Sequence, residues 1–169
     1  ADDATEVGTL VSFKQRDRVR DYIEIGLGEG ATLVVGGEAP TDPALAGGAY
    51  LMPTVFDGVS NDMRIAREEI FGPVVSIIPF DTEEEAIRIG NDTPFGLAAY
   101  FYSRDIGRIW RVAEGLDYGI VGINEGIIST EVAPFGGVKE SGIGREGSKY
   151  GIADYLEIKY LCIAGVDPP

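Results

Sequence analysis

The 169-residue chain carries 14 Lys and Arg against 28 Asp and Glu. The resulting formal charge of −14 argues against nucleic acid or an anionic membrane as a partner. The chain contains no His and one Cys, which excludes an internal disulfide, a His-based catalytic relay and a His metal site within it. No apolar run reaches membrane-spanning length and no signal peptide opens the sequence, so we expect a cytoplasmic protein without a membrane partner.

The predicted elements begin with a helix after Ser12. This residue is a candidate N-cap, and Gln15 stands three residues on, as in a capping box. Val19 and Tyr22 continue the helical spacing of apolar residues, and Gly28 marks the helix end. Further helices are predicted at residues 63–68, 83–91, 105–116 and 147–154. Strands are predicted at residues 32–35, 50–56, 74–80, 97–102, 120–124 and 156–163.

Strands alternate with helices along most of the chain, which indicates an α/β fold. We expect a three-layer-like sheet with helices on its faces. The helix at 105–116 is expected to bury Trp110. The terminal strand, 156–163, has nothing after it to pair with inside the chain, and Cys162 within it is expected to be a buried structural Cys rather than a nucleophile.

Residues 142–147 read Gly-Ile-Gly-Arg-Glu-Gly, which matches the glycine pattern of a dinucleotide-binding loop. That fingerprint needs a strand directly before it and a βαβ unit around it. A loop with Lys139 and Glu140 precedes the motif instead, and no following unit supplies a ribose-binding acid. The pattern therefore favours a Gly-rich turn over a phosphate cradle.

Two stretches of the chain carry a family resemblance. Residues 134–146 read Pro-Phe-Gly-Gly-Val-Lys-Glu-Ser-Gly-Ile-Gly-Arg-Glu, and residues 68–74 read Glu-Glu-Ile-Phe-Gly-Pro-Val. Together they resemble the C-terminal, catalytic-domain part of the aldehyde dehydrogenase superfamily, and the resemblance runs over essentially the whole chain. The tail, residues 144–152 and 155–163, is most similar to succinate-semialdehyde dehydrogenases.

The resemblance implies an NAD- or NADP-dependent enzyme that oxidises succinate semialdehyde to succinate through a Cys thiohemiacetal and a thioester. The nucleophile, the general base and the Rossmann domain are expected upstream of Ala1. The chain is therefore expected to be an inactive fragment with no catalytic residue of its own. Glutarate semialdehyde or a general aldehyde is the alternative substrate. A non-catalytic structural or interaction domain is the alternative class, which the mass of the source protein would distinguish.

Four site residues follow from the resemblance. Glu69 corresponds to the carboxylate that binds the nicotinamide ribose, and Phe71 to the ring that packs near the nicotinamide. By pattern alone, Glu68 and Glu69 favour a solvated helix end. Ser129 corresponds to a hydroxyl residue that binds the distal carboxylate of the substrate, and Phe135 to an aromatic wall of the aldehyde tunnel. A local turn hydrogen bond for Ser129 and plain core packing for Phe135 remain the alternatives.

Three cations lie close in sequence on this acidic chain, namely Lys139, Arg145 and Lys149. They could guide an anionic substrate towards the Gly-rich loop. Surface ion pairs with Glu140 and Glu146 are the favoured interpretation.

The resemblance also implies a division of the chain. Residues 1–154 are expected to form the C-terminal part of a catalytic domain, and residues 155–169 an oligomerisation strand and tail. The terminal segment is β-rich and largely apolar, and an unpaired strand edge of that kind is an association site. We therefore expect a homo-oligomer assembled through this segment.

Overall fold

The computed structural model describes residues 5–166, which fold as two compact units that divide between Thr82 and Glu83. The first unit opens with helix α1, Phe13–Gly28. The Ser12 hydroxyl accepts a hydrogen bond from the backbone N–H of Gln15, as the predicted N-cap requires. The helix ends where Gly30 adopts a φ of 93°, a conformation that favours glycine.

A three-stranded sheet lies in the first unit, in the order β1-β2-β3. Strand β1 is Thr32–Val35, β2 is Thr54–Asp57 and β3 is Val74–Ser76. The first two strands pair antiparallel with one irregularity in register, and β2 pairs with β3 in parallel. Strand β3 is shorter than the predicted 74–80, since only its first three residues pair with β2.

The core of the first unit forms between α1, the sheet and a short helix, α2, Arg64–Arg67. Val19 and Ile23 on α1 pack with Phe56 of β2 and Ile65 of α2, and all four are almost fully buried. These apolar contacts place α1 directly beside the loop that follows α2. The packing therefore positions one of the two predicted site segments.

The second unit has two helices, α3 at Glu83–Asn91 and α4 at Ile106–Gly115. The carboxylate of Glu83 joins them, because it accepts hydrogen bonds from Arg108 and Arg111 at 2.9 and 2.8 Å. The Arg111 hydrogen bond is the main reason why the pKa of Glu83 lies below its usual value.

Four strands of the second unit pair in two small sheets. Strand β4, Phe95–Gly96, pairs antiparallel with β7, Val138–Lys139. Strand β5, Ala98–Phe101, pairs in parallel with β6, Ile120–Ile123. The predicted α/β class is confirmed, and the strands of the described residues are distributed over three small sheets.

Three local expectations are wrong. Trp110 is 63% exposed on α4 rather than buried. The helix predicted at 147–154 is a series of turns that ends in one 3-10 turn, Ala153–Tyr155. Cys162 is exposed. Each expectation assumed a covering partner or a hydrogen-bond pattern that the described part of this chain does not supply.

The segment 156–163 forms no strand within the described residues, and its side chains are exposed. Ile158 is fully exposed and Tyr160 is 84% exposed. The role of residues 155–169 as an oligomerisation segment stays a prediction, as does the boundary at residue 154. Among the described helices, none is long and apolar enough to cross a membrane.

Candidate functional site

The first predicted site segment is the loop of residues 68–72, here called the first loop, which follows α2. Glu69 is exposed and Phe71 is 72% exposed. Both residues line a cavity of about 320 Å³, whose floor includes Ile65 of α2 and Val74 of β3. The structure thus brings the two predicted cofactor residues together at one open surface of the first unit.

Helix α1 holds the main chain of the first loop through two side chains. Nε2 of Gln15 donates to the carbonyls of Ile70 and Phe71 at 3.2 and 3.0 Å. The guanidinium of Arg18 donates to the carbonyls of Glu69 and Ile70 at 3.0 and 3.2 Å. Three consecutive carbonyls are thereby bound from one helix face. The predicted capping box is therefore half right. Ser12 caps the helix, but the Gln15 side chain donates to the first loop.

The backbone of the first loop is strained at Phe71, which has a φ of 60°. A residue with a side chain rarely adopts this conformation. Gly72 follows it, and a Cβ there would overlap the side chain of Val19. The first loop therefore lies against α1 closely enough to require glycine at position 72.

Charges at the start of the first loop form a connected group. Glu68 accepts hydrogen bonds from Arg64 at 2.8 and 2.9 Å and from the Tyr22 hydroxyl at 2.7 Å. The Arg64 bond, followed by the Tyr22 bond, lowers the pKa of Glu68 from 4.5 to about 2. The carboxylate of Glu29 accepts from the Arg64 backbone N–H and so closes the N-terminus of α2. Glu68 is thus used structurally, whereas the carboxylate of Glu69 forms no hydrogen bond or ion pair within the described residues.

The second predicted site segment is the loop of residues 125–135, here called the second loop, which follows β6. It begins after Asn124, which has a φ of 57° and whose side chain accepts from the Ser103 N–H and donates to the Ser103 carbonyl. The Glu125 carboxylate then accepts from the backbone N–H groups of Ile127 and Gly126, which lowers the pKa of Glu125. Local polar bonds therefore set the direction in which this loop leaves the sheet.

Ser129 and Phe135 line one cavity of about 440 Å³ in the second unit. Ser129 is exposed and Phe135 is half-buried. The cavity is also lined by Thr130, Glu131, Glu146 and Gly147. The structure brings the two predicted substrate residues together, and it adds two acidic residues that sequence reasoning missed.

Main-chain hydrogen bonds hold the second loop on the Gly-rich segment. Phe135 and Glu146 exchange two N–H to carbonyl bonds of 2.8 Å each, and the Ser148 N–H donates to the Glu131 carbonyl at 2.9 Å. Gly147, between the two points of attachment, has a φ of 70°. A Cβ at Gly147 would lie 3.1 Å from the carbonyl oxygen of Ala133.

The Gly-rich motif forms turns, as the pattern predicts, with positive φ at Gly142, Gly144 and Gly147. Two cations in and beside this motif, Arg145 and Lys139, donate to main-chain carbonyls instead of pairing with Glu140 and Glu146. Arg145 donates to the carbonyls of Gly137 and Gly144 at 2.7 Å each, and Lys139 donates to the carbonyls of Asn91 and Thr93. The favoured ion-pair interpretation is therefore wrong for these two residues, because the fold brings main-chain carbonyls within hydrogen-bond distance of both cations.

The fold and both loops match a known family. The model of the aldehyde dehydrogenase family matches residues 1–161. The chain belongs to this family. It spans about a third of the length of the relatives that it matches.

Two relatives illustrate the range of substrates. The chain is 51% identical to succinate-semialdehyde dehydrogenase [NADP(+)] of Escherichia coli, over 96% of this chain and 33% of that protein. It is 50% identical to glutarate-semialdehyde dehydrogenase of Pseudomonas aeruginosa, over 94% and 32%. The crystal structure of succinate-semialdehyde dehydrogenase from Burkholderia pseudomallei matches 97% of this chain and 33% of that one, with a TM-score of 0.89 and 53% identity.

Sequence reasoning missed Gln15 and Arg18 as residues of the first loop's surroundings. The only signal in the sequence is that both stand on one helix face, three residues apart. Their acceptors lie more than 50 residues further along the chain. The roles of Glu69, Phe71 and Ser129 in binding ligands remain predictions, as does that of Phe135.

Proposed function

We propose that this chain forms part of an NAD- or NADP-dependent aldehyde dehydrogenase that oxidises succinate semialdehyde to succinate. The observation that carries the proposal is the shared cavity of Glu69 and Phe71, in which an exposed carboxylate and an exposed ring stand on a main chain fixed by α1. The identity to semialdehyde dehydrogenases supports the substrate class. The overall reaction converts the aldehyde, water and the oxidised cofactor into the acid, the reduced cofactor and a proton.

The cavity of the first loop fits a nicotinamide riboside by its chemistry. The Glu69 carboxylate can accept hydrogen bonds from two ribose hydroxyls, and the open ring of Phe71 can restrict a flat heterocycle. The cofactor, when bound, supplies the acceptor for the hydride of the aldehyde carbon. NAD and NADP are both candidate cofactors.

The cavity of the second loop would take the aldehyde. Ser129 would donate its hydroxyl to the distal carboxylate, and Phe135 would form one wall. Glu131 and Glu146 line the same cavity, so a carboxylate approaches it against like charge. A cation from the part of the enzyme outside this chain is therefore required as well, together with the nucleophilic Cys and the general base.

Steady-state kinetics of the full-length enzyme that contains this sequence test the substrate. We expect a higher kcat/KM for succinate semialdehyde than for butyraldehyde, which has the same chain length without the carboxylate. Glutarate semialdehyde is the second candidate, since a relative at 50% identity bears that name. A higher kcat/KM for glutarate semialdehyde would select this alternative, and a preference for butyraldehyde would reject both.

The isolated 169-residue chain should oxidise no aldehyde. It contains one Cys, Cys162, which lies in the exposed tail. Assays with succinate semialdehyde and either cofactor test this. Turnover that Cys162→Ser abolishes would contradict the proposal. A source protein whose mass equals that of this chain would instead support a non-catalytic structural domain. A cytoplasmic location is part of the proposal and is tested by cell fractionation.

We propose further that the tail, residues 155–166 of the described chain, joins a second copy of the enzyme. Its exposed apolar side chains include Leu156, Ile158 and Leu161. Deletion of residues 156–169 should give a monomeric or aggregating enzyme in analytical ultracentrifugation. A soluble oligomer of the original mass would contradict this role.

A further inference from the structure

We infer that Asp57 is a site of spontaneous covalent modification, at which the aspartyl residue converts into an isoaspartyl residue. Asp57 ends strand β2, and Gly58 follows it in an exposed turn. The 169-residue chain contains no other Asp-Gly pair and no Asn-Gly pair. The isoaspartyl product is the kind of substrate that a protein carboxyl methyltransferase recognises. This modification is independent of the aldehyde and of the cofactor.

The reaction needs only these two residues and water. The backbone nitrogen of Gly58 attacks Cγ of the protonated Asp57 carboxyl group and forms a C–N bond, while the amide proton and the carboxyl hydroxyl leave as one water molecule. Water then opens the resulting five-membered succinimide at either carbonyl. Opening at Cγ restores aspartate. Opening at the backbone carbonyl leaves the chain running through Cβ and Cγ, with a free α-carboxylate, so that no atom is gained or lost overall.

The contact between the two residues is the first argument. The Gly58 N–H donates to Oδ1 of Asp57 at 2.7 Å, so the carboxyl group is folded over the nitrogen that attacks it. Within the described residues, the Asp57 carboxylate forms no other hydrogen bond or ion pair. No second partner therefore holds the carboxyl group away from the Gly58 nitrogen.

Two other acidic side chains show what is particular to this contact. Glu125 accepts from the N–H of Gly126 at 2.8 Å, which is the same contact with one more methylene group, and its ring would have six members and close more slowly. Asp42 is followed by Pro43, which has no N–H to react. Of the three acids, Asp57 alone combines a five-membered ring with a glycine nitrogen.

The open surroundings of Gly58 are the second argument. Gly58 has a φ of 65°, and apart from its chain neighbours no atom lies within 4 Å of the position that a Cβ would take. Asp57 and Gly58 are both exposed, so water reaches the succinimide. Glycine also gives the main chain the freedom to rotate as the ring closes.

The modification would alter the core of the first unit. An isoaspartyl residue lengthens the main chain by one carbon at the end of β2. Asp57 directly follows Phe56, which is fully buried, and lies two residues before Val59, which is 2% exposed. It also pairs with Thr32 of β1. A close-packed core does not absorb an added carbon without a shift, so the modified chain should have a lower melting temperature.

The first experiment incubates the folded full-length enzyme at neutral pH and then locates its isoaspartyl residues. A purified protein carboxyl methyltransferase is the probe, because it transfers the labelled methyl group of S-adenosylmethionine to the free α-carboxylate of an isoaspartyl residue. We expect label in the peptide that contains Asp57. Without the methyltransferase, this peptide should change its chromatographic retention at unchanged mass. The absence of label at Asp57, or label that appears only after unfolding in urea, would overturn the inference.

Variants of Asp57 test the chemistry of the step. Asp57→Glu keeps the charge but requires a six-membered ring, so the label at this position should be lost. Asp57→Asn should accumulate label faster than the wild type, because an amide releases ammonia more readily than a carboxyl group releases water. Asp62→Glu is the matched control, since Asp62 is an exposed acid of the same segment that precedes Met63, and it should keep the wild-type label. Equal labelling of Asp57→Asn and the wild type would contradict the proposed ring closure.

Gly58→Asn tests the site while Asp57 stays in place. Asparagine tolerates the left-handed conformation that Gly58 adopts, so the turn should be retained. Its side chain crowds the attacking nitrogen, and the label at Asp57 should therefore be lost. The melting temperature of the incubated wild type should fall with the fraction of label, whereas that of incubated Gly58→Asn should stay constant. Undiminished label in Gly58→Asn would show that the glycine is not what makes Asp57 reactive.

Discussion

The first and second loops are held in place by different means. Side chains of α1, Gln15 and Arg18, bind the carbonyls of the first loop. Main-chain groups of the Gly-rich segment bind the second loop. The first arrangement depends on which side chains stand at two positions far away in sequence. The second depends on backbone conformations that glycine permits, so substitutions should affect the two loops by different routes.

The largest expected effect is that of Glu69→Gln in the full-length enzyme. Loss of a carboxylate that orients the nicotinamide ribose should slow reduced-cofactor formation by about 100-fold. The loss should be equal for succinate semialdehyde and butyraldehyde, because the cofactor serves every aldehyde. Single-turnover absorbance at the band of the reduced cofactor measures it. An unchanged rate would remove Glu69 from the site.

Gly147→Ala examines the backbone that holds the second loop. Alanine at a φ of 70°, with its Cβ close to the Ala133 carbonyl, introduces strain of about 1–3 kcal/mol. We expect kcat/KM to fall by about 10-fold or more for charged and uncharged aldehydes alike, since 1.4 kcal/mol corresponds to a factor of about ten.

The matched control for that experiment is Gly126→Ala in the second loop itself. No atom lies within 4 Å of the position that its Cβ would take. Its effect on kcat/KM should stay within about twofold. Equal losses in Gly147→Ala and Gly126→Ala would show that the conformation of Gly147 is not what holds the second loop.

Ser129→Ala should have a smaller and selective effect. A hydrogen bond to a charged group contributes about 1.5–3 kcal/mol, and water replaces part of it in an open cavity, so we expect about a 10-fold loss. The quantity to measure is the ratio of kcat/KM for succinate semialdehyde to that for butyraldehyde, in the wild type and the variant. If this ratio does not fall, Ser129 forms only a local turn hydrogen bond and does not bind the distal carboxylate.

The smallest effect concerns pH and the charges beside the first loop. The pKa of Glu68 is about 2 in the folded chain against an ordinary 4.5, so its contribution to stability is present above pH 4.5 and is lost as the pH falls towards 2. Glu68→Gln should therefore lower the melting temperature at pH 7, and this difference should disappear near pH 2. Glu24→Gln on the exposed face of α1 is the control. If the difference in melting temperature between Glu68→Gln and the wild type does not change with pH, the ionisation of Glu68 is not coupled to the stability of the fold.

Elements with local signals could be predicted from the sequence. Strand β1 has the predicted bounds, and α1 begins after Ser12, whose hydroxyl caps the helix. Helix α4 likewise starts after Asp105, whose carboxylate accepts from the N–H of Arg108. Caps and breaking glycines act within a few residues, so a short window of sequence contains all of the information.

Features that depend on distant partners could not be predicted in this way. The spacing of apolar residues predicted that Trp110 is buried, but the described residues do not cover its side chain. The pattern of the first loop alone favoured a solvated helix end, and the site assignment of Glu69 came from the family resemblance. The bonds of Gln15 and Arg18 to that loop join positions that are more than 50 residues apart, and no local pattern reports them.

Trp110 is the only tryptophan of the chain, and it lies 63% exposed on α4, one turn after the exposed Ile106. The tryptophan fluorescence of the chain, excited selectively over that of its tyrosines, therefore originates from a single indole ring at a water-facing surface. Its emission should lie near that of free tryptophan, and iodide should quench it readily. Any protein surface that covers this face of α4 would shift the emission to shorter wavelength and protect it from iodide. The fluorescence of Trp110 therefore reports whether this face of the second unit is covered.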